Sequence, residues 1–313
     1  MRRQMAGVVC GCGDVLGESP VWDSQHDVLY WVDIRRSALH KLNTTAGKLV
    51  EQKFEFAPEL LTGVVVARND TLLLGLKRRM SSIGLQVLDA CSAAAPCLDA
   101  DFLPTQNRLN EIKTDPRGRI WFGAMWDYAR GRSGGLYRVD ADSRLVCVRG
   151  DVTVPNSLAF SPDGRWIYFA DSAAGAIERA SFDVESGSVG EWHELVGAAQ
   201  APGKPDGLAV DADGCLWSAR FGAGCVIRFT PEGKRVACID LPTSQPTSCA
   251  FGGPGLSTLF ITSATQGLSA EDRAREHLAG SLFAVETATT GLPVTRAVVP
   301  DVQPAPPAQP SPA

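Results

Sequence analysis

The chain repeats itself. Residues 155–172, PNSLAFSPDGRWIYFADS, read as an apolar strand, a turn and a second apolar strand, with Pro-Asp-Gly supplying the turn chemistry. KPDGLAVDADGCLWSARF (204–221) and RLNEIKTDPRGRIWFGAM (108–125) follow the same order of polar start, apolar strand, turn and aromatic-bearing strand. Weaker copies begin near Gly17, Leu61 and Gln245, and a third strand commonly follows the hairpin, as in GLYRVDA and CVIRFTP. Aligned, the six units put Glu18, Thr62, Asn110, Asn156, Asp206 and Thr247 at one repeat position. A period of about 46 residues, with three or four strands per unit, predicts β-propeller blades. One such unit cannot bury both faces of its small sheet, and stacking units around an axis can.

The expected fold is therefore all-β: a six-bladed β-propeller of four-stranded blades over residues 1–299. A leftover strand at residues 7–12 would close the ring by completing the last blade. Residues 300–313 are Pro-rich and are expected to form a disordered tail. One helix-like insert, 267–280, interrupts the sixth unit, with Ser269 placed to cap it and Gly280 to stop it.

Composition narrows the partners. The chain has 313 residues, 44% of them hydrophobic, enough for a large core. Its net charge of −5 argues against nucleic acid or an anionic membrane as a main partner. No apolar run has transmembrane length, and the apolar patch near the N-terminus is too short for a secretory segment, so a cytoplasmic protein is expected. The nine cysteines include no Cys-x-x-Cys pair, and most fall inside apolar strands. Buried thiols are expected rather than disulfides or zinc ligands.

Asn156 is a poor strand starter, and the repeat explains it. First strands of propeller blades run beside the axis, so equivalent positions share a ring at one end of the channel. There the chain places Glu18, Asn110, Asn156 and Asp206. Any one of them alone would read as a local backbone cap. Four at one position, from four units, read as a ligand ring. Carboxylates gathered without a basic partner are costly to bury unless a cation neutralises them. Such oxygen donors suit calcium, magnesium, manganese, zinc or ferrous iron.

LGESPVWD with Glu18, RLNEIKTDPRGRIWFGAM with Asn110, VPNSLAFSPDGRWIYFADS with Asn156 and KPDGLAVDADGCLW with Asp206 together carry a resemblance. The chain resembles the senescence-marker-protein/gluconolactonase/luciferin-regenerating (regucalcin-like) family from about residue 8 to 299, and its late segments PTSCAFGG and LAGSLFAVE resemble the bacterial sugar lactonase branch. The resemblance implies a six-bladed propeller with one divalent metal near the axis, hydrolysing an aldonolactone such as gluconolactone, arabinolactone, xylonolactone or galactonolactone. Glu18, Asn156 and Asp206 match its metal ligands, with Asp206 also suited to accept the proton of the attacking water. Arg108 and Asn110 match residues that contact the lactone oxygens. Where some relatives carry a substrate-binding glutamate, GAMWDYARG places Tyr128 with Asp127 beside it, which leaves the preferred sugar open. Ser157 stands where glycine is common. A monomer or weak homo-oligomer is expected. Two rivals stay open: a non-enzymatic calcium-binding or regulatory propeller, and a propeller hydrolase of other esters. Arg108 and Asn110 beside the ring favour a substrate site.

Other motifs read as structural. The Gly-x-Ser-x-Gly match around Ser133 lacks the strand before and helix after that a nucleophile elbow needs. Gly-Cys-Gly near residue 11 lacks a βαβ setting. Asp211 and Asp213 suit a hairpin turn, and Asp33 and Asp171 suit structural hydrogen bonding between blades. The four histidines are expected at surface or loop positions, and Arg35, Arg36 and residues 77–79 on a solvated face.

Overall fold

The computed structural model describes residues 2–43, 50–56, 59–88, 94–140 and 142–299; the expected Pro-rich tail, 300–313, lies outside the described residues. Six antiparallel sheets, one per repeat unit, surround a central channel. Their innermost strands are Gly17–Asp23, Leu61–Ala67, Asn107–Thr114, Pro155–Phe160, Lys204–Val210 and Pro246–Gly252. Side chains from neighbouring sheets interdigitate to form the core, as where Trp121 and Leu136 of blade three meet Leu158, Ile167 and Phe169 of blade four. This is how a sheet too small to stand alone acquires a buried face on each side.

The N-terminal segment reaches two blades. Gly7–Cys10 pairs antiparallel with Leu282–Glu286 and supplies the outermost strand of blade six. Just before it, Arg2–Met5 pairs in parallel with Arg235–Asp240, so blade five has five strands rather than four. Arg-Arg-Gln-Met has no strand pattern to announce this. Its anchor is charge, with Arg3 held bidentate on Asp240 at 2.9 and 2.5 Å.

One irregularity recurs in every innermost strand. Pairing slips between Glu18 and Val21, Leu61 and Gly63, Asn110 and Ile112, Asn156 and Ala159, Pro205 and Leu208, and Pro246 and Ser248. A bulge at the ring position bends the strand and re-aims its side chains. In three blades the next residue, Ser19, Glu111 or Ser157, takes φ near +50°. Thus Asn156 opens its strand because the strand is bulged there.

The insert in blade six is a single short helix, Ala270–Arg275, shorter than residues 267–280. Ser269 caps it by accepting from the Asp272 amide at 3.0 Å. Glu276, just beyond, accepts from the Ser244 amide and the Thr243 and Ser244 hydroxyls, which ties the insert to blade five. Among the described residues no helix is long and apolar enough to cross a membrane. No disulfide joins the eight described cysteines, and Cys97, Cys215, Cys225, Cys238 and Cys249 are buried.

Candidate metal and substrate site

A cavity of about 370 Å³ opens at the end of the channel where the innermost strands begin. Glu18, Asn110, Asn156 and Asp206 all line it, from four different blades, and all are buried. The two remaining ring positions are turned away: Thr62 donates to the Gly75 carbonyl, and Thr247 to the Gly17 carbonyl. A larger cavity, about 440 Å³, lies around the later residues of the same strands, toward the channel's other end. Its walls are mostly apolar and Lys113 is its one charged residue, so the convergence of chemistry, not size, marks the first.

A hydrogen-bond chain crosses three blades and sets the ring. Arg108 Nη1 donates to Asn110 Oδ1 at 2.6 Å, and Asn110 Nδ2 to Asn156 Oδ1 at 2.9 Å and the Pro155 carbonyl at 2.8 Å. Asn156 Nδ2 donates to Ser172 Oγ at 2.9 Å, which donates to the Pro205 carbonyl at 2.5 Å, one residue before Asp206. Ser157 adds a second tie: its hydroxyl donates to the Asp206 carbonyl at 2.6 Å. A glycine there would lose that bond.

Asp127 does not line the cavity; it joins two arginines behind the wall. It accepts from Arg108 Nε at 2.9 Å and Arg35 Nη1 at 3.0 Å. Burial alone would raise its carboxyl, but the Arg35 hydrogen bond and the charges of both arginines hold it below the ordinary range. Tyr128 does line the cavity, at φ +62° and 59% exposed, with the Arg35 guanidinium 3.8 Å from its ring centre. Arg35 corrects the expectation of a solvated face: its side chain is 9% exposed, lines the cavity, and also donates to Gln266 Oε1 at 2.5 Å. The chain reaches inward there because the loop after the strand Val28–Asp33 faces the channel mouth.

The ring carboxylates are only partly compensated. Burial, then the nearby Glu111 charge, push Glu18 up to about 7. Burial, then the charges of Glu18 and Glu111, hold Asp206 well above its ordinary value. Neither forms an ion pair among the described residues, and Arg108, itself lowered by burial, is the cation that most offsets each. Among the described residues no three His, Cys, Asp or Glu side chains gather to hold an ion by themselves. The set here is two carboxylates and an amide oxygen, and it fits a hard or borderline divalent cation, which would relieve the repulsion.

The other motifs resolve as structure. Ser133 donates to Asn107 Oδ1 at 2.8 Å and leads into a strand, Gly134–Val139. Asp211 accepts from the Asp213 and Cys215 amides in its turn and from Trp217 Nε1 at 2.9 Å. Asp33 accepts from the Val15 and Leu16 amides, and Asp171 from Thr153 and Val154, so each fastens the segment leading into its own blade. His40 departs from the surface expectation. It is buried, stacked on Trp31 at 4.6 Å, with Nε2 3.0 Å from Asp14 Oδ1, because its strand places it under the neighbouring indole.

Fold and site define a six-bladed β-propeller with an oxygen-donor ring at one mouth of its channel. The description SMP-30/Gluconolactonase/LRE-like region matches residues 16–265, and the chain belongs to that family. It is 39% identical to the 6-deoxy-6-sulfogluconolactonase of Pseudomonas putida, over 88% of this chain and 93% of that one. It is 35% identical to the pentonolactonase XacC of Haloferax volcanii, over 91% and 95%. A crystal structure of a calcium-binding protein, regucalcin, from Agrobacterium tumefaciens shares the fold at TM-score 0.87 and 24% identity, covering 95% of this chain and 99% of that one.

Proposed function

We propose that the chain hydrolyses the lactone of a sugar acid, with Glu18, Asn156 and Asp206 holding one divalent cation. That it is a lactone hydrolase rests on relatives named as lactonases at 39% and 35% identity across most of both chains. The observation that supports the site assignment is the hydrogen-bond chain from Arg108 to Asn156, which joins two cavity-lining donors to the ring. Relatives named for a sulfonated hexonolactone and for pentonolactones lie within the same family, so membership leaves the sugar open.

A cation held by Glu18, Asn156 and Asp206 would supply the Lewis acidity that polarises an ester carbonyl. The side chains do the rest. Asp206, buried at the ring, accepts a proton from the attacking water. Water adds to the carbonyl carbon, the ring C–O bond breaks, and the ring oxygen takes up the proton held on Asp206 and leaves as a hydroxyl, giving the hydroxy acid. Arg108 has committed Nε to Asp127 and Nη1 to Leu109 and Asn110, which leaves Nη2 to donate to a lactone oxygen. Asn110 has committed both amide protons, so its Oδ1 is the atom that accepts from a sugar hydroxyl. These groups are fixed before substrate arrives, which is what lowers the barrier.

The test is acid release from five- and six-membered aldonolactones, measured above the spontaneous rate, on chelator-stripped protein with calcium, zinc, magnesium, manganese or ferrous iron restored in turn. Cation-dependent turnover is the expected result. Tight cation binding with no turnover of any lactone would leave an ion-binding propeller.

A further inference from the structure

The cavity wall carries more positive charge than lactone hydrolysis needs. Outside the donor ring it is lined by Arg35, Arg108 and Lys204. The carboxylate attached to this wall, Asp127, is shared by the two arginines. Lys204 has no carboxylate partner among the described residues; its ammonium donates to the Ala173 carbonyl at 3.3 Å at the exposed rim. Lys204 is not among the main cations offsetting the ring: that influence comes from Arg108, and for Glu18 also from Lys113.

The segment that presents Lys204 is built rather than loose. Arg220 is fully buried behind it and donates to the Pro202 carbonyl at 2.9 Å and the Gly203 carbonyl at 3.1 Å. Gly203 takes φ +65°, and a Cβ there would stand 2.6 Å from the Phe221 carbonyl. Lys204 therefore leaves the backbone at a fixed point, two residues before the ring carboxylate of Asp206. A buried arginine with no acid paired to it among the described residues is a costly way to hold a loop, and the loop it holds carries the rim cation.

An uncharged aldonolactone engages Arg108 through its oxygens but offers Lys204 no opposite charge. The carboxylate that hydrolysis creates forms at the carbonyl carbon, beside the donor ring, and does not account for charge at the rim. We infer that the substrate is a sugar lactone bearing an anionic group, such as a sulfonate, phosphate or carboxylate, on the carbon far from the carbonyl, and that Lys204 selects it. The inference rests on the lactonase reading above. With the carbonyl at the ring, the far end of the sugar points outward to the rim, where an ammonium serves as a point charge for any of the three oxyanions.

The experiment compares kcat/KM for glucono-1,5-lactone with those for its 6-phosphate, its 6-deoxy-6-sulfonate and the matching uronic-acid lactone, on cation-restored full chain. At least one charged lactone should be preferred over the neutral one by on the order of tenfold or more, the range of a charge-assisted contact. Lys204→Met should collapse that ratio, chiefly through KM, and added salt should erode it in the wild type. The lactone that shows the largest ratio names the oxyanion. A ratio at or below one in the wild type, or a preference unchanged by Lys204→Met, overturns the inference and leaves the lactonase standing. No turnover of any of the four overturns the inference, and the lactonase reading falls with it only when the wider panel of five- and six-membered aldonolactones is also left intact.

Discussion

The ring amides Asn110 and Asn156 are tied to each other across two blades, while the carboxylates of Glu18 and Asp206 accept from the amides of the residues that follow them, Ser19 and Gly207. Single substitutions here should therefore separate binding from folding. Asp206→Ala removes one of two mutually repelling buried carboxylates and leaves its backbone carbonyl on Ser157. It should abolish cation binding, read by calorimetry, and lactone turnover, while the thermal midpoint of the cation-free protein does not fall; full activity in this variant would sink the site assignment. The same repulsion sets a pH dependence. Glu18 titrates at about 7 in the folded, cation-free chain against 4.5 ordinarily, so the folded state binds the extra proton. Stability is then fully present below about pH 4.5 and is lost as pH rises through about 7. Urea midpoints of chelated protein should fall between pH 5 and pH 8, and a divalent cation should restore the upper value. Equal midpoints would show that the ring carboxylates are already compensated.

At the scale of the strand, the decisive device is the bulge at the ring position of each blade. The sequence showed its consequence, polar residues aligned at strand starts, without showing the bulge itself. Glu18, Asn110, Asn156 and Asp206 were therefore legible as a ring, from the repeat alone. Arg35, Ser172, Lys204 and Gln266 were not. Arg35, Ser172 and Gln266 follow the second strand of their blades, and Lys204 sits just ahead of Asp206; in the sequence such positions look like ordinary solvated loops. Next to Arg36, Arg35 reads in the sequence as part of a charged, solvated face, although the strand-end motif Tyr-Trp-Val-Asp marks where its loop returns to the channel mouth. The close approach of blades five and six makes a test of the bulge. A Cβ on Gly207 would lie 2.0 Å from Ser248 Oγ and 2.7 Å from Ser248 Cα, a clash with backbone that no rotamer relieves. Gly207→Ala should cost about 1–3 kcal/mol in denaturant titration. Cation affinity should weaken with it, since Asp206 is the adjacent residue. An unchanged midpoint would mean the two strands are free to separate.

A propeller has no single core; each blade lends a face to the next, so the ring is only as stable as its seam. Here the seam lies in blade six, where Gly7↔Ala284, Val8↔Phe283 and Cys10↔Leu282 pair the chain's start with its last blade. Val9, Cys10 and Cys12 also pack on the cluster of Trp22, Leu29, Trp31, Phe260 and Leu282, which spans blades six and one. Arg2–Met5 does a different job. It extends blade five at an outer edge, its main side-chain tie is the exposed Arg3–Asp240 pair, and Met5 is 64% exposed. Exposed pairs of this kind contribute about 0–1 kcal/mol. Two truncations should therefore behave differently. Removing residues 1–5 should leave one cooperative melting transition, lowered by a few degrees, and lactone turnover close to that of the full chain. Removing residues 1–12 opens the seam and exposes apolar surface on both sides of it, so the sharp transition should be lost, a hydrophobic dye should bind, and cation affinity should fall because Glu18 and Asp206 no longer face each other across a closed ring. If the shorter chain instead melts like the full one, blade six holds with three strands, and closure must come from the contacts between innermost strands alone.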